Sequence, residues 1–199
     1  MKKFEILIVI VIAVVGALLI YRHFNVVPTE EHLTNKFSSE YTLVEEDNVF
    51  KYKSIDEVLN VFDGGTGIIF LCTPTSSWCQ SYAYYLNQAA KENGITEIYY
   101  SNIKDDRDLN TIKYQRLLEN LNDYLIKDDQ NNGKIYMPDL TFVKNGFIIA
   151  HDNETSLVHS DATSENYWTN DVVQEFKNKI NNFVTLYNQE IESEEMNYE

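Results

Sequence analysis

Residues 67–79 read Gly-Ile-Ile-Phe-Leu-Cys-Thr-Pro-Thr-Ser-Ser-Trp-Cys. Gly67 to Cys72 is a fully apolar run, of the kind buried on both faces of a sheet. It passes through a loop at 73–78 straight into a helix predicted over Ser77 to Asn93 and closed by Gly94. Cys79, Tyr82, Ala83, Leu86, Ala89 and Ala90 form the inner side of that helix. Ser76 stands where a serine caps a helix by accepting a free N–H. Cys72 and Cys79 are the chain's two cysteines. Two thiols alone do not build a four-ligand structural zinc site, and no metal is expected.

Outward from this stretch the pattern alternates. Val49 to Lys53 reads as a short strand. Ser54-Ile55-Asp56-Glu57 has capping-box spacing and opens a helix with Val58, Leu59, Val61 and Phe62 on one face, ended by Gly64-Gly65. Downstream, Thr96 to Asn102 is a strand. Leu109, Ile112, Leu117, Leu121 and Leu125 predict one long helix over about 107–126. Lys127 to Lys134 is polar, with Asn131-Asn132-Gly133 as turn chemistry. Asp139 to Val143 and Phe147 to His151 are strands joined by Lys144-Asn145-Gly146, a hairpin signal. Thr169 or Asn170 caps a final helix carrying Val172, Val173, Phe176, Ile180, Phe183 and Tyr187. The expected order is β-α-β-α-β-α-β-β-α, an α/β fold.

The ends of the chain differ from its middle. Ile6 to Tyr21 is an unbroken apolar run of 16 residues, preceded by Lys2 and Lys3 and followed by Arg22. It offers no small-x-small cleavage site, so residues 1–23 are expected to form a retained transmembrane signal anchor. The two lysines favour the cytoplasmic side for the N-terminus and place the rest outside, at the cell membrane. Residues 24–47 are expected to be a juxtamembrane stalk, 48–190 the folded domain and 191–199 an acidic tail. The chain carries 16 basic and 31 acidic residues. Residues 1–23 hold three and one of these, so the remainder has 13 basic against 30 acidic, a net charge of −17. Such a domain does not bind a nucleic-acid backbone by charge.

The 67–79 stretch, together with Met137-Pro138-Asp139-Leu140-Thr141-Phe142 and the following Lys144-Asn145-Gly146, resembles thioredoxin over residues 48 to about 190. The similarity is nearest to membrane-anchored or secreted thioredoxin-like proteins of Gram-positive type, including bacteriocin transport accessory proteins. Those usually place Cys-Pro-Trp-Cys at the start of the helix. Here Pro74, Trp78 and Cys79 match, Ser76 stands at the first cysteine and Ser77 at the proline. The family's buried acid ahead of the loop has no counterpart, since Ile68 and Ile69 stand there. The resemblance implies a thioredoxin-like fold and a cis Met137-Pro138 bond facing the 73–79 loop. It puts Cys79 and Ser76 at the catalytic motif positions and Trp78, Met137, Pro138 and His151 at a binding edge.

Serine does not perform thiol–disulfide exchange, so the resemblance leaves the activity open. Cys79 reads either as a buried, unpaired small hydrophobe or as the partner of Cys72, if their Cα atoms lie within about 7 Å. A Ser76 nucleophile needs an adjacent base, and none is present locally. His151, returning on the second hairpin strand, is expected to approach Ser76 or Cys79. His151, Asp152, Glu154, His159 and Asp161 fit no recognised metal spacing. The leading expectation is a peptide- or protein-binding module without dithiol activity and without a cofactor. The alternatives are an atypical thiol–disulfide oxidoreductase using Cys79 alone or with Cys72, and an assembly subunit of an export or envelope complex.

Overall fold

The computed structural model describes residues 14–15, 36–127, 129–130, 132–153 and 162–189. The chain divides into two units, residues 1–33 and 34–199. In the first, Val14 and Val15 are described, helical and exposed. The anchor expected over 1–23 and the tail over 191–199 otherwise lie outside the described residues, as do Glu154, His159 and Asp161. No helix among the described residues is long and apolar enough to cross a membrane.

The second unit is built on a five-stranded mixed sheet. Its strands are β1 (Phe50–Tyr52), β2 (Gly67–Leu71), β3 (Ile98–Ser101), β6 (Asp139–Lys144) and β7 (Phe147–Asp152), in the spatial order β1-β3-β2-β6-β7. β1 and β2 both run parallel to β3. β6 is antiparallel to β2, and β7 to β6. A separate two-stranded pair joins β4 (Ile126–Lys127) to β5 (Gly133–Lys134). The helices are α1 (Ile55–Phe62), α2 (Ser77–Glu92), α3 (Lys104–Asp108), α4 (Ile112–Asn120), α5 (Ser164–Tyr167) and α6 (Asn170–Asn188).

Strand alternation divides the core in two. Ile68, Phe70 and Cys72 face one side with Leu86 of α2 and Ile180 of α6. Ile69 and Leu71 face the other with Leu59 of α1 and Leu117 of α4. The expected capping box opens α1. The Glu57 N–H donates to Ser54 Oγ (3.3 Å) and the Ser54 N–H donates to Glu57 Oε2 (2.8 Å). These bonds to Ser54 hold the Glu57 carboxyl below its ordinary value. Asn145 and Gly146 form the two-residue turn between β6 and β7, both with positive φ (52° and 81°). A side chain on Gly146 would meet Gly64 N and Phe62 O at 2.9 Å, so glycine lets the hairpin press against the end of α1.

Two boundaries differ from expectation. The helix expected over 107–126 is broken into α3 and α4. Asn110 takes the left-handed conformation (φ 48°), and Thr111 caps α4 by accepting the Tyr114 N–H (3.2 Å). Leu109 and Ile112, two of the residues whose spacing suggested the long helix, are exposed at this break. The core also begins upstream of residue 48. A helical segment at 36–40, assigned above to the stalk, buries Phe37, with Tyr41 and Val44 following. Phe37 stacks on Tyr41 (4.3 Å) and Phe50 (4.2 Å) and meets Tyr100 edge-on (5.0 Å). The Tyr41 hydroxyl donates to that of Tyr100 (3.2 Å), and burial pushes both phenols above their ordinary range. Phe37→Ala should therefore destabilise the fold by about 3 to 5 kcal/mol, read as a lowered urea midpoint by tryptophan fluorescence. An unchanged midpoint would return this segment to a stalk.

Candidate functional site

The site forms where β2 leaves the sheet. The Cys72 N–H still donates to Ser101 O (3.2 Å), so the strand's pairing reaches the edge of the loop. The loop then closes on itself, with the Ser76 N–H donating to Thr73 O (3.2 Å). Ser76 is the N-cap of α2, and its Oγ accepts the Cys79 N–H (3.4 Å). One turn into α2, Gln80 ties the loop down. Its Nε2 donates to Pro74 O (2.8 Å) and to Glu40 O (2.7 Å), linking the 73–76 loop to the 36–40 helical segment.

Cys72 and Cys79 are joined by a disulfide, with Cα atoms 5.8 Å apart. Of the two readings of Cys79, the structure has the pair and not the free thiol. Both residues are fully buried. The Thr73 N–H donates to Cys79 Sγ (3.3 Å). Trp78, beside them, is half-buried with its ring edge-on to Tyr167 of α5 (5.4 Å).

Met137-Pro138 is cis. β6 begins at the next residue, where Asp139 pairs with Leu71. Continued by one step, that register sets Pro138 opposite Cys72. Pro138 is buried, and half-buried Met137 packs against both halves of the core.

His151 does not turn toward Ser76 or Cys79. Its Nε2 pairs with Asp139 Oδ2 at 2.9 Å, and the Thr141 hydroxyl donates to Asp139 Oδ1 (3.2 Å). Asp139 is fully buried, and the Tyr124 ring lies 5.1 Å from the imidazole. Thr141 pairs with His151 across the hairpin, whereas Phe142 and Ala150 point into the half of the core that holds the disulfide. Asp139, Thr141 and His151 thus share the opposite face. On the disulfide side, buried Asp152 accepts from the Tyr82 hydroxyl (2.6 Å) and pairs with Lys179 (3.0 Å).

The chain matches no protein-family model, and no curated protein matches it.

Chemically the site is quiet. It exposes no thiol, and Ser76, at the motif position, caps the helix. His151, the one histidine among the described residues, is engaged by the Asp139 carboxylate on the other face. Among the described residues no group of three or more His, Cys, Asp or Glu side chains could hold a metal ion. Gln80 and Asp139 were not singled out as site residues from the sequence, and Asp152 was weighed only within the 151–161 group that fits no metal spacing. The two-residue step from Asp139 to Thr141 was the available signal for Asp139. Gln80 carried none.

Alkylation of the denatured, unreduced chain should detect no thiol, and two after reduction. Replacing both cysteines by serine should cost about 2 to 3 kcal/mol, the chain-entropy value for so short a loop, seen as a lower thermal midpoint. Free thiols in the unreduced chain would remove the disulfide from the structure.

Proposed function

We propose that the chain is a thioredoxin-like protein, held at a membrane by residues 1–23 with residues 34–199 outside the cytoplasm. In this reading it has given up dithiol exchange and holds an extended protein or peptide segment along Tyr136–Met137. The sheet order β1-β3-β2-β6-β7, with three parallel strands and an antiparallel hairpin, supports the fold. So does the cis Met137-Pro138 bond beside the end of β2. The observation that carries the loss of activity is the fully buried Cys72–Cys79 bond, with Ser76 at the helix start where an attacking thiol would stand. Exchange needs a thiolate with access to a sulfur, and burial denies it. Disulfides persist in oxidising compartments, which supports the outward orientation. The segment at 136–137 precedes the first paired residue of β6, so its backbone can pair with a guest strand.

One observation favours an oxidoreductase instead. The Thr73 N–H aimed at Cys79 Sγ would stabilise a thiolate there once the bond opened.

The two readings separate in an insulin-reduction assay. The native chain should precipitate insulin no faster than the reductant alone, whereas a rate like that of a dithiol thioredoxin would establish the oxidoreductase. Ser76→Cys should offer Cys79 a second partner at Cys-x-x-Cys spacing and create measurable reduction. Protease added to intact cells should remove residues 34–199; protection of the domain would reverse the topology.

A further inference from the structure

A cavity of about 350 Å³ lies against the segment that runs into Met137. Its wall includes Arg107 at the end of α3, Lys127 of β4 and Lys134 of β5, beside Tyr114, Leu118 and Tyr136. Among the described residues no carboxylate side chain is part of that wall. This is unusual for a chain with 31 acidic residues against 16 basic ones. Most other described basic residues sit against acids, Lys144 excepted, which donates to the Tyr187 and Gln189 carbonyls. Lys53 pairs with Glu57, Lys91 with Glu45 and Asp47, Arg116 with Asp63 and Lys179 with Asp152. Arg107 shares Asp108 at 3.3 Å with Lys104 as a closer competitor at 2.6 Å. Lys127 and Lys134 have no ion pair with a described residue, and Lys134 instead lies 5.7 Å above the Tyr136 ring. Three cations around one concave, partly apolar surface favour an anion that carries its own short hydrocarbon stem.

The cavity and the cis-proline edge belong to one extended segment. β5 continues through buried Ile135, whose N–H donates to the Tyr114 hydroxyl (3.3 Å), to Tyr136 and Met137. Lys134 and Tyr136 alternate with Ile135, and both line the cavity. A guest strand advances about 3.3 Å per residue. One lying along Tyr136–Met137 therefore brings a side chain over the cavity within two residues.

We propose that the cavity takes the carboxylate of a glutamate or aspartate side chain in the segment held along Tyr136–Met137. This rests on the peptide-holding reading above and names the chemistry that reading lacks. The surrounding charge limits the choice further. A net charge of −15 disfavours an acidic segment as a whole. The ligand is one acidic residue in an otherwise neutral or basic stretch.

The test uses the full chain in detergent micelles and labelled heptapeptides of valine and threonine, blocked at both ends, with a central Glu, Gln or Lys. Fluorescence anisotropy should show the Glu peptide binding about tenfold tighter than the Gln peptide, the worth of one charge-assisted contact, and the Lys peptide weakest. Lys127→Gln combined with Lys134→Gln should abolish the Glu preference and leave the Gln peptide's affinity unchanged. Equal affinity for Glu and Gln in the native chain overturns the cavity's role and leaves the peptide edge standing. So does a Glu preference that survives the double substitution. Binding of none of the peptides overturns the edge itself and this assignment with it.

Discussion

β2 is buried at all five positions, and among the described strands it alone has a parallel neighbour on one side and an antiparallel one on the other. The placement of every group at the site follows from its register. Leu71 pairs with Ser101 and with Asp139, so the strand's end, the turn out of β3 and the cis-proline segment meet at one edge. A slip of one residue would exchange the two faces of the strand. Cys72 would leave the side where α2 presents Cys79, and Ile69 and Leu71 would lose α1 and α4. Burial on both sides makes such a slip costly, because each of these side chains contributes roughly 1.5–3 kcal/mol by leaving water. The disulfide is thus a consequence of the register as much as a support for it.

Much of this was legible because it is periodic or capped. β2 announces itself by an unbroken apolar run, α1 by its capping box, α2 and α6 by Ser76 and Thr169 ahead of apolar faces, and the hairpin by Asn145-Gly146. The features that were missed depend on single residues whose effect is tertiary. Asn110 and Thr111 end one helix and start another within a stretch whose leucines keep helical spacing. Phe37 and Tyr41 follow a polar, proline-containing stretch and look like tether, yet they find the aromatic rings of Phe50 and Tyr100.

His151 shows how local the error can be. The turn pairs Lys144 with Phe147 and Val143 with Ile148. An uninterrupted ladder would then set His151 opposite Leu140, on the disulfide side. A bulge between Phe142 and Val143 adds one residue to β7, so that His151 lies opposite Thr141 instead. The same bulge swings Asp152 to the disulfide side, where Tyr82 and Lys179 receive it. Two buried carboxylates thereby gain partners on opposite faces, which satisfies groups that would otherwise cost several kcal/mol each. No sequence pattern marks that extra residue, because both registers leave apolar side chains on both sides of β7.

The two faces consequently differ in what they can do. The disulfide side is closed by rings, with Phe70 stacked on Tyr82 and Trp168 edge-on to Tyr82 and Phe176, and its sulfurs are out of reach of solvent. The other side carries the polar groups that follow Pro138, namely Asp139, Thr141 and His151, and beyond Tyr114 the cavity bordered by Arg107, Lys127 and Lys134. Tyr114 joins these parts physically, since its hydroxyl accepts the Ile135 N–H on the segment between cavity and cis-proline, while burial raises its phenol above the ordinary value. Of the three cations Arg107 shares Asp108 with Lys104, while Lys127 and Lys134 have no ion pair with a described residue. The cations of the cavity therefore lie on the α4 side, away from the disulfide on the α2 side, so the binding proposed there would not depend on a reactive sulfur.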